Sequence, residues 1–92
     1  MYFFTFLGRP RSTEQKEVSG AYINCWIDLQ NISDAKILAE QKILEHDWEI
    51  LKMEDGYIID RADYNYKKEG LQYFEEALID KWVLVFHTYP NE

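Results

Sequence analysis

The sequence predicts an α+β domain, a mainly antiparallel sheet with two helices packed on one face. Three observations carry this. Ala21 to Leu29 alternates residue by residue, with Ala21, Ile23, Cys25, Ile27 and Leu29 on one side and Tyr22, Asn24, Trp26 and Asp28 on the other. That period of two marks a strand with unlike faces. Two later stretches, Ala35–Glu45 and Lys68–Asp80, instead repeat their apolar residues at three and four, the helical spacing. Finally, Tyr2–Leu7 and Trp82–Tyr89 are dense in aromatic and β-branched residues, which favour strands.

Taken in order, Tyr2–Leu7 is the first strand, and Gly8–Ser19, with Gly, Pro, Ser, Thr and five charges, is a loop too long for a tight hairpin. The alternating strand follows. Ser33 is placed to cap a helix, with Asp34 favouring its positive end, although Asn31-Ile32-Ser33 also fits a glycosylation pattern. The helix then presents Ala35, Ile37, Leu38, Ala39, Ile43 and Leu44 as a wide buried stripe. Trp48–Met53 reads as a strand, Asp55-Gly56 as a two-residue hairpin turn, and Tyr57–Ile59 as the return strand. Asp60–Lys67 is a polar connection, with Asp63 or Asn65 as the next cap. Leu71, Phe74, Ala77 and Leu78 line the second helix, and Trp82–Tyr89 closes the chain order at Pro90.

The last six of these elements run β-α-β-β-α-β, an order that resembles the ferredoxin-like two-layer sandwich. The resemblance is architectural and implies no activity. It places Ala21–Leu29 centrally, between the third and fourth strands of the six, and sends Tyr2–Leu7 to a sheet edge as an extra N-terminal strand. If Tyr57–Ile59 is not a strand, the two N-terminal strands form a hairpin in a four-stranded sheet.

Ninety-two residues, 47% hydrophobic, suffice for one domain spanning 1–92. The net charge of −7 speaks against nucleic acid and anionic membrane surfaces and suits a basic protein partner. The acid is unevenly spread: residues 1–16 hold Arg9, Arg11 and Lys16 against Glu14 alone. The single Cys25 has no internal disulfide partner, which fits a reducing, cytoplasmic setting. Tyr2–Leu7 lacks the basic start and cleavage site of a signal peptide, and no run is long enough to span a membrane.

Two helices on one face leave the other face bare. Tyr22, Asn24, Trp26 and Asp28 would lie on it beside Val83, Val85 and His87, with either Phe3 and Leu7 or Tyr2, Phe4 and Phe6. Such a face is too apolar for water alone and reads as a dimer or partner surface, unless a loop or the Arg9 segment folds over it. The chemistry-bearing residues are sparse. Cys25 falls mid-strand on the core side, away from any activating base. His87 could meet Asp28 or Asn24 across neighbouring strands, orienting an imidazole. Glu54, Asp55, Asp60 and Asp63 make an acidic corner without an EF-hand spacing, and Glu75-Glu76 diverge on a helix as a solvated face. Gly8-Arg9-Pro10-Arg11-Ser12 could clamp an anion through Arg9 and Arg11, or contact the acidic bulk of the chain. These residues assemble no catalytic set and point to no cofactor or metal. The expectation is a small acidic interaction module, of inhibitor, immunity or regulatory type, that binds through the open face. Its rival is a dimeric ligand-binding or enzymatic domain with an enclosed pocket near Trp26 and His87.

Overall fold

A computed structural model describes residues 1–11, 18–64 and 70–90. β1 (Tyr2–Pro10) and β2 (Val18–Ile27) form an antiparallel pair in register from Tyr2↔Ile27 to Gly8↔Ala21. β3 (Trp48–Ile58) adds to the free side of β1 and β4 (Trp82–Pro90) to the free side of β2. The result is a four-stranded, fully antiparallel sheet in the order β3-β1-β2-β4. α1 (Ile32–Glu45) connects β2 to β3, and a 3-10 turn (Arg61–Tyr64) with α2 (Leu71–Asp80) connects β3 to β4.

This α+β sheet departs from the ferredoxin-like order. β2 is central and lies beside β4, as expected, but its other neighbour is β1. β1 therefore sits inside the sheet and not at its edge. Its composition explains this: Phe4 and Phe6 are buried on one side while Phe3 packs on the other. A strand apolar on both sides gains most from a central place. It also runs on through Gly8, Arg9 and Pro10, which the sequence reading assigned to a loop.

Asp55-Gly56 makes no hairpin. β3 continues through it, with Asp55 opposite Thr5 and Gly56 opposite Phe4, so Tyr57 and Ile58 belong to the same strand as Trp48. Glycine serves here as a point of close approach: a Cβ on Gly56 would stand 2.8 Å from Cδ1 of the buried Phe4 ring. The ladder slips between Thr5 and Phe6 and again between Leu7 and Gly8, leaving Glu54 and Leu51 without partners on β1.

The two helices lie on opposite faces of the sheet, which corrects the expectation of both on one. Ala35, Ala39 and Ile43 of α1 pack on Phe4, Phe6, Ala21, Ile23, Cys25, Ile27 and Trp48, a helix-on-sheet sandwich. Phe74 and Ala77 of α2 pack instead with Trp26 and Ile59, flanked by Phe3, Val83 and Val85. Strand parity requires this, because Trp26 points the opposite way from Cys25 and Ile27. The chain thus crosses from β2 to β3 over one face and returns from β3 to β4 over the other.

Local signals also resolve differently in places. Asn31, not Ser33, caps α1: its Oδ1 accepts from the N–H groups of Ser33 and Asp34 at 2.8 and 3.2 Å. Caps of this kind contribute about 1 kcal/mol. The buried stripe of α1 is narrow, since Ile37 and Leu44 project to solvent on the side away from the sheet. Gly70, at φ 94°, precedes α2, and Asp63 does not cap it: the Asp63 carboxylate accepts from the Asp60 N–H at 2.7 Å inside the 3-10 turn. Asn65, the other cap candidate, lies outside the described residues, as do the predicted first helical residues Lys68 and Glu69. Leu78 is exposed, so Phe74 and Ala77 carry the contact. Among the described residues, no helix is long and apolar enough to cross a membrane.

Candidate functional site

The face opposite α1 carries every residue that the sequence assigned to partner or ligand binding except Asp28, but α2 divides it. At one end, Trp26 is only 5% exposed. Its Nε1–H donates to Tyr64 Oη at 2.8 Å, and its ring meets Phe3 edge-on and Tyr73 at a tilt, both with centroids 5.0 Å away. Val83 and Val85, opposite Trp26 and Asn24 on β4, pack into the same cluster. Trp26 is therefore core under α2, and Val83 and Val85 are partly buried against it. This end of the face is apolar enough to need cover, and α2 supplies it.

At the other end the face remains open among the described residues. Tyr22 is 48% exposed, stands directly opposite the exposed His87, and has the Tyr89 ring 6.0 Å away. Asn24 is half-buried between the two ends, its Oδ1 accepting from Thr5 Oγ1 at 3.0 Å across the β1–β2 pair. Beyond Leu7, on the same side, Arg9 reaches across to β3. The structure thus brings Tyr22, Asn24 and His87 together and adds Tyr89. The sequence reading missed Tyr89, although its parity with His87 on one strand was a visible signal.

Asp28 does not join them. It follows the last residue of β2, where its N–H donates to the Lys81 carbonyl at 2.8 Å and its carboxylate lies 3.7 Å from Lys81 Nζ. His87 is level with Tyr22, six residues back along the strand and roughly 20 Å away at strand rise. An oriented His87–Asp28 pair is ruled out by that register. The rival reading needs a concave pocket around Trp26 and His87. An open depression of about 460 Å³ lies beside Tyr2, Asp28, Gln30, Ile58 and Lys81. A second, of about 420 Å³, lies between α2 and β4 beside Glu76, Asp80 and Trp82.

The basic island is already engaged at Arg9. Its guanidinium grips Glu49 with two bonds, Nε–H to Oε2 at 2.9 Å and Nη2–H to Oε1 at 3.2 Å. The Arg9 hydrogen bonds hold the Glu49 carboxyl below its usual range against desolvation, helped by the charges of Arg9 and Arg11, while Glu49 raises Arg9 in return. Arg11 is exposed and donates its backbone N–H to the Asp47 carbonyl at 3.0 Å. Of the expected anion clamp, then, one arginine serves the chain's own carboxylate, and Ser12 lies outside the described residues. The acidic corner is likewise consumed locally. Glu54 pairs with Lys52 at 3.2 Å, Asp55 Oδ1 accepts from the Gly56 N–H, and Asp60 and Asp63 organise the 3-10 turn. Among the described residues no three metal-ligating side chains converge. Glu75 pairs with Arg61, while Glu76 faces the depression beside Trp82.

Cys25 is fully buried in the α1 core, and burial pushes its thiol well above the ordinary value. A thiolate there would have to ionise inside hydrocarbon, which is the reverse of an activated nucleophile. The linkage has a definite sign. A folded-state pKa above the unfolded one gives stability that is present below the unfolded pKa and lost as pH rises past it. Stability should accordingly fall above about pH 9, by up to about 1.4 kcal/mol per pH unit from this group. Urea titrations between pH 8 and 10.5 will read this limb, and Cys25→Ala should flatten it. An unchanged limb in that variant would assign the effect to other groups.

With this geometry in hand, comparison with protein-family models, with curated proteins and with solved structures returns no match.

Proposed function

We propose that this chain is a small protein-interaction module of the cytoplasm, of inhibitor, immunity or regulatory type. It binds a protein partner through the half of the sheet face that α2 leaves open. The observation carrying this reading is Tyr22: a half-exposed aromatic ring in the middle of the central strand, set against Tyr89 and His87 on a rigid antiparallel platform. Tyr on a preformed surface offers large contact area at low entropic cost and a hydroxyl for orientation. Asn24 borders the patch, and the Arg9–Glu49 pair gives it a charged rim. The net charge of −7 favours a basic partner through long-range attraction, which speeds encounter more than it tightens the complex.

The test is a photo-cross-linking amino acid at position 22, with position 37 on the outer side of α1 as the control. The expected result is a discrete adduct from position 22 only, with a protein of net positive charge. Tyr22→Ala should then weaken that partner's affinity roughly tenfold or more, as truncation of a central aromatic does. Equal labelling from both positions, or none from position 22, would refute the reading.

A further inference from the structure

Both ends of the sheet are edges, and they differ. On β4 the large apolar side chains from Trp82 to Phe86 are at least partly buried, and the exposed residues are His87 and Thr88. On β3 four large apolar side chains lie in solvent: Leu51, Met53, Tyr57 and Ile58, the last 70% exposed. Among the described residues β3 is also the longest strand, eleven residues, and no strand pairs with its outer side. An edge of this length bearing apolar side chains is a template for another strand.

Its charge order says which strand. Lys52 and Glu54 flank Met53 and lie on one side of β3, with Nζ 3.2 Å from Oε1. In an antiparallel pair of two identical strands, residues equally far from the centre stand opposite each other. Centred on Met53, each Lys52 falls opposite the other copy's Glu54, twice by symmetry. Opposite charges placed directly across a strand pair stabilise it, and like charges destabilise it. A two-fold contact also closes on itself, whereas β3 against β4 of another copy would propagate.

We propose that the β3 edge is the contact surface of a two-fold dimer, in which β3 pairs antiparallel with β3 of a second copy about Met53, making one eight-stranded sheet. The contact uses the rim of the sheet and not its open face, so it stands apart from the partner reading above. The ladder to β1 is irregular at Leu51 and at Glu54, close on either side of Met53, so the pairing is short, Lys52 to Glu54 of each copy.

Sedimentation velocity on the full chain across a concentration series tests this. The unmodified protein should dimerise. Lys52→Glu and Glu54→Lys each place like charges opposite one another at both symmetric positions, and each alone should weaken the dimer roughly tenfold or more. Mixed in equal amounts, the two variants should recover association as a heterodimer, since acidic edge then meets basic edge. The same variants break the Lys52–Glu54 pair within the chain, so recovery on mixing can come only from contact between chains. A monomeric unmodified protein overturns the proposal. So does a dimer indifferent to both substitutions, or a mixture that stays monomeric.

Discussion

Trp26→Ala is expected to lower the free energy of unfolding by about 3–5 kcal/mol, the range for truncating a buried aromatic. Set against the roughly 5–15 kcal/mol that holds a small domain together, that is a large part of the margin. The reason is positional. On the α1 side ten buried residues share the packing. On the α2 side, among the described residues, the buried cluster is Trp26, Ile59, Phe74 and Ala77, and Trp26 touches most of what surrounds them. Removing the indole also takes the donor from Tyr64 Oη, so the 3-10 turn loses its tie to the sheet. The damage should be one-sided. In urea unfolding the midpoint drops, and in native-state hydrogen exchange the amides of α2 lose protection before those of α1. Tyr64→Phe is the milder companion, costing about 1–3 kcal/mol by leaving the indole N–H without its acceptor. A loss below about 1 kcal/mol for Trp26→Ala would mean that α2 does not rest on this side chain.

Gly56→Ala should also destabilise, by about 1–3 kcal/mol, the usual cost of overpacking. The sign is what makes it informative. In an ordinary strand position, replacing Gly with Ala relieves backbone entropy and helps by roughly 0.5–1 kcal/mol. Here the new methyl would stand 2.8 Å from Cδ1 and 3.2 Å from Cε1 of Phe4, a ring 1% exposed with no room to retreat. Shrinking that ring should restore part of the loss, so Gly56→Ala with Phe4→Leu should be less destabilised than the two single effects summed. Thermal unfolding of the four-member cycle reads the coupling. Additivity within about 0.3–0.5 kcal/mol would show that the two residues do not meet.

Those two positions also show where the sequence was legible. The alternation of Ala21–Leu29 declares two unlike faces, and it declares Ile23, Cys25 and Ile27 as core, which they are. It cannot say which helix covers which face, because both faces of β2 are apolar enough to take one. Trp26 was therefore assigned to an uncovered surface when its neighbours were waiting in α2, about fifty residues further on. Asp55-Gly56 failed for a related reason. Glycine permits a tight turn and also permits a ring to lie against the backbone, and only the position of Phe4 decides between them. Arg9 and Glu49, forty residues apart, were visible as charges but not as a pair. Tyr22, Asn24 and His87 stayed together because their relation depends only on parity and one strand pairing. Asp28 dropped out because the strand ends one residue before it.

The division of the sheet into two covered sides has an optical consequence. The three indoles are distributed between them. Trp26 lies beneath α2, while Trp48 is buried on the α1 side against Phe86, their centroids 5.1 Å apart. Trp82, half-buried on that same side, has the Lys42 ammonium 4.7 Å above its ring. Each face thus contains its own fluorophore in its own dielectric, and single-tryptophan versions of the protein would report the loosening of one side independently of the other, with no label added.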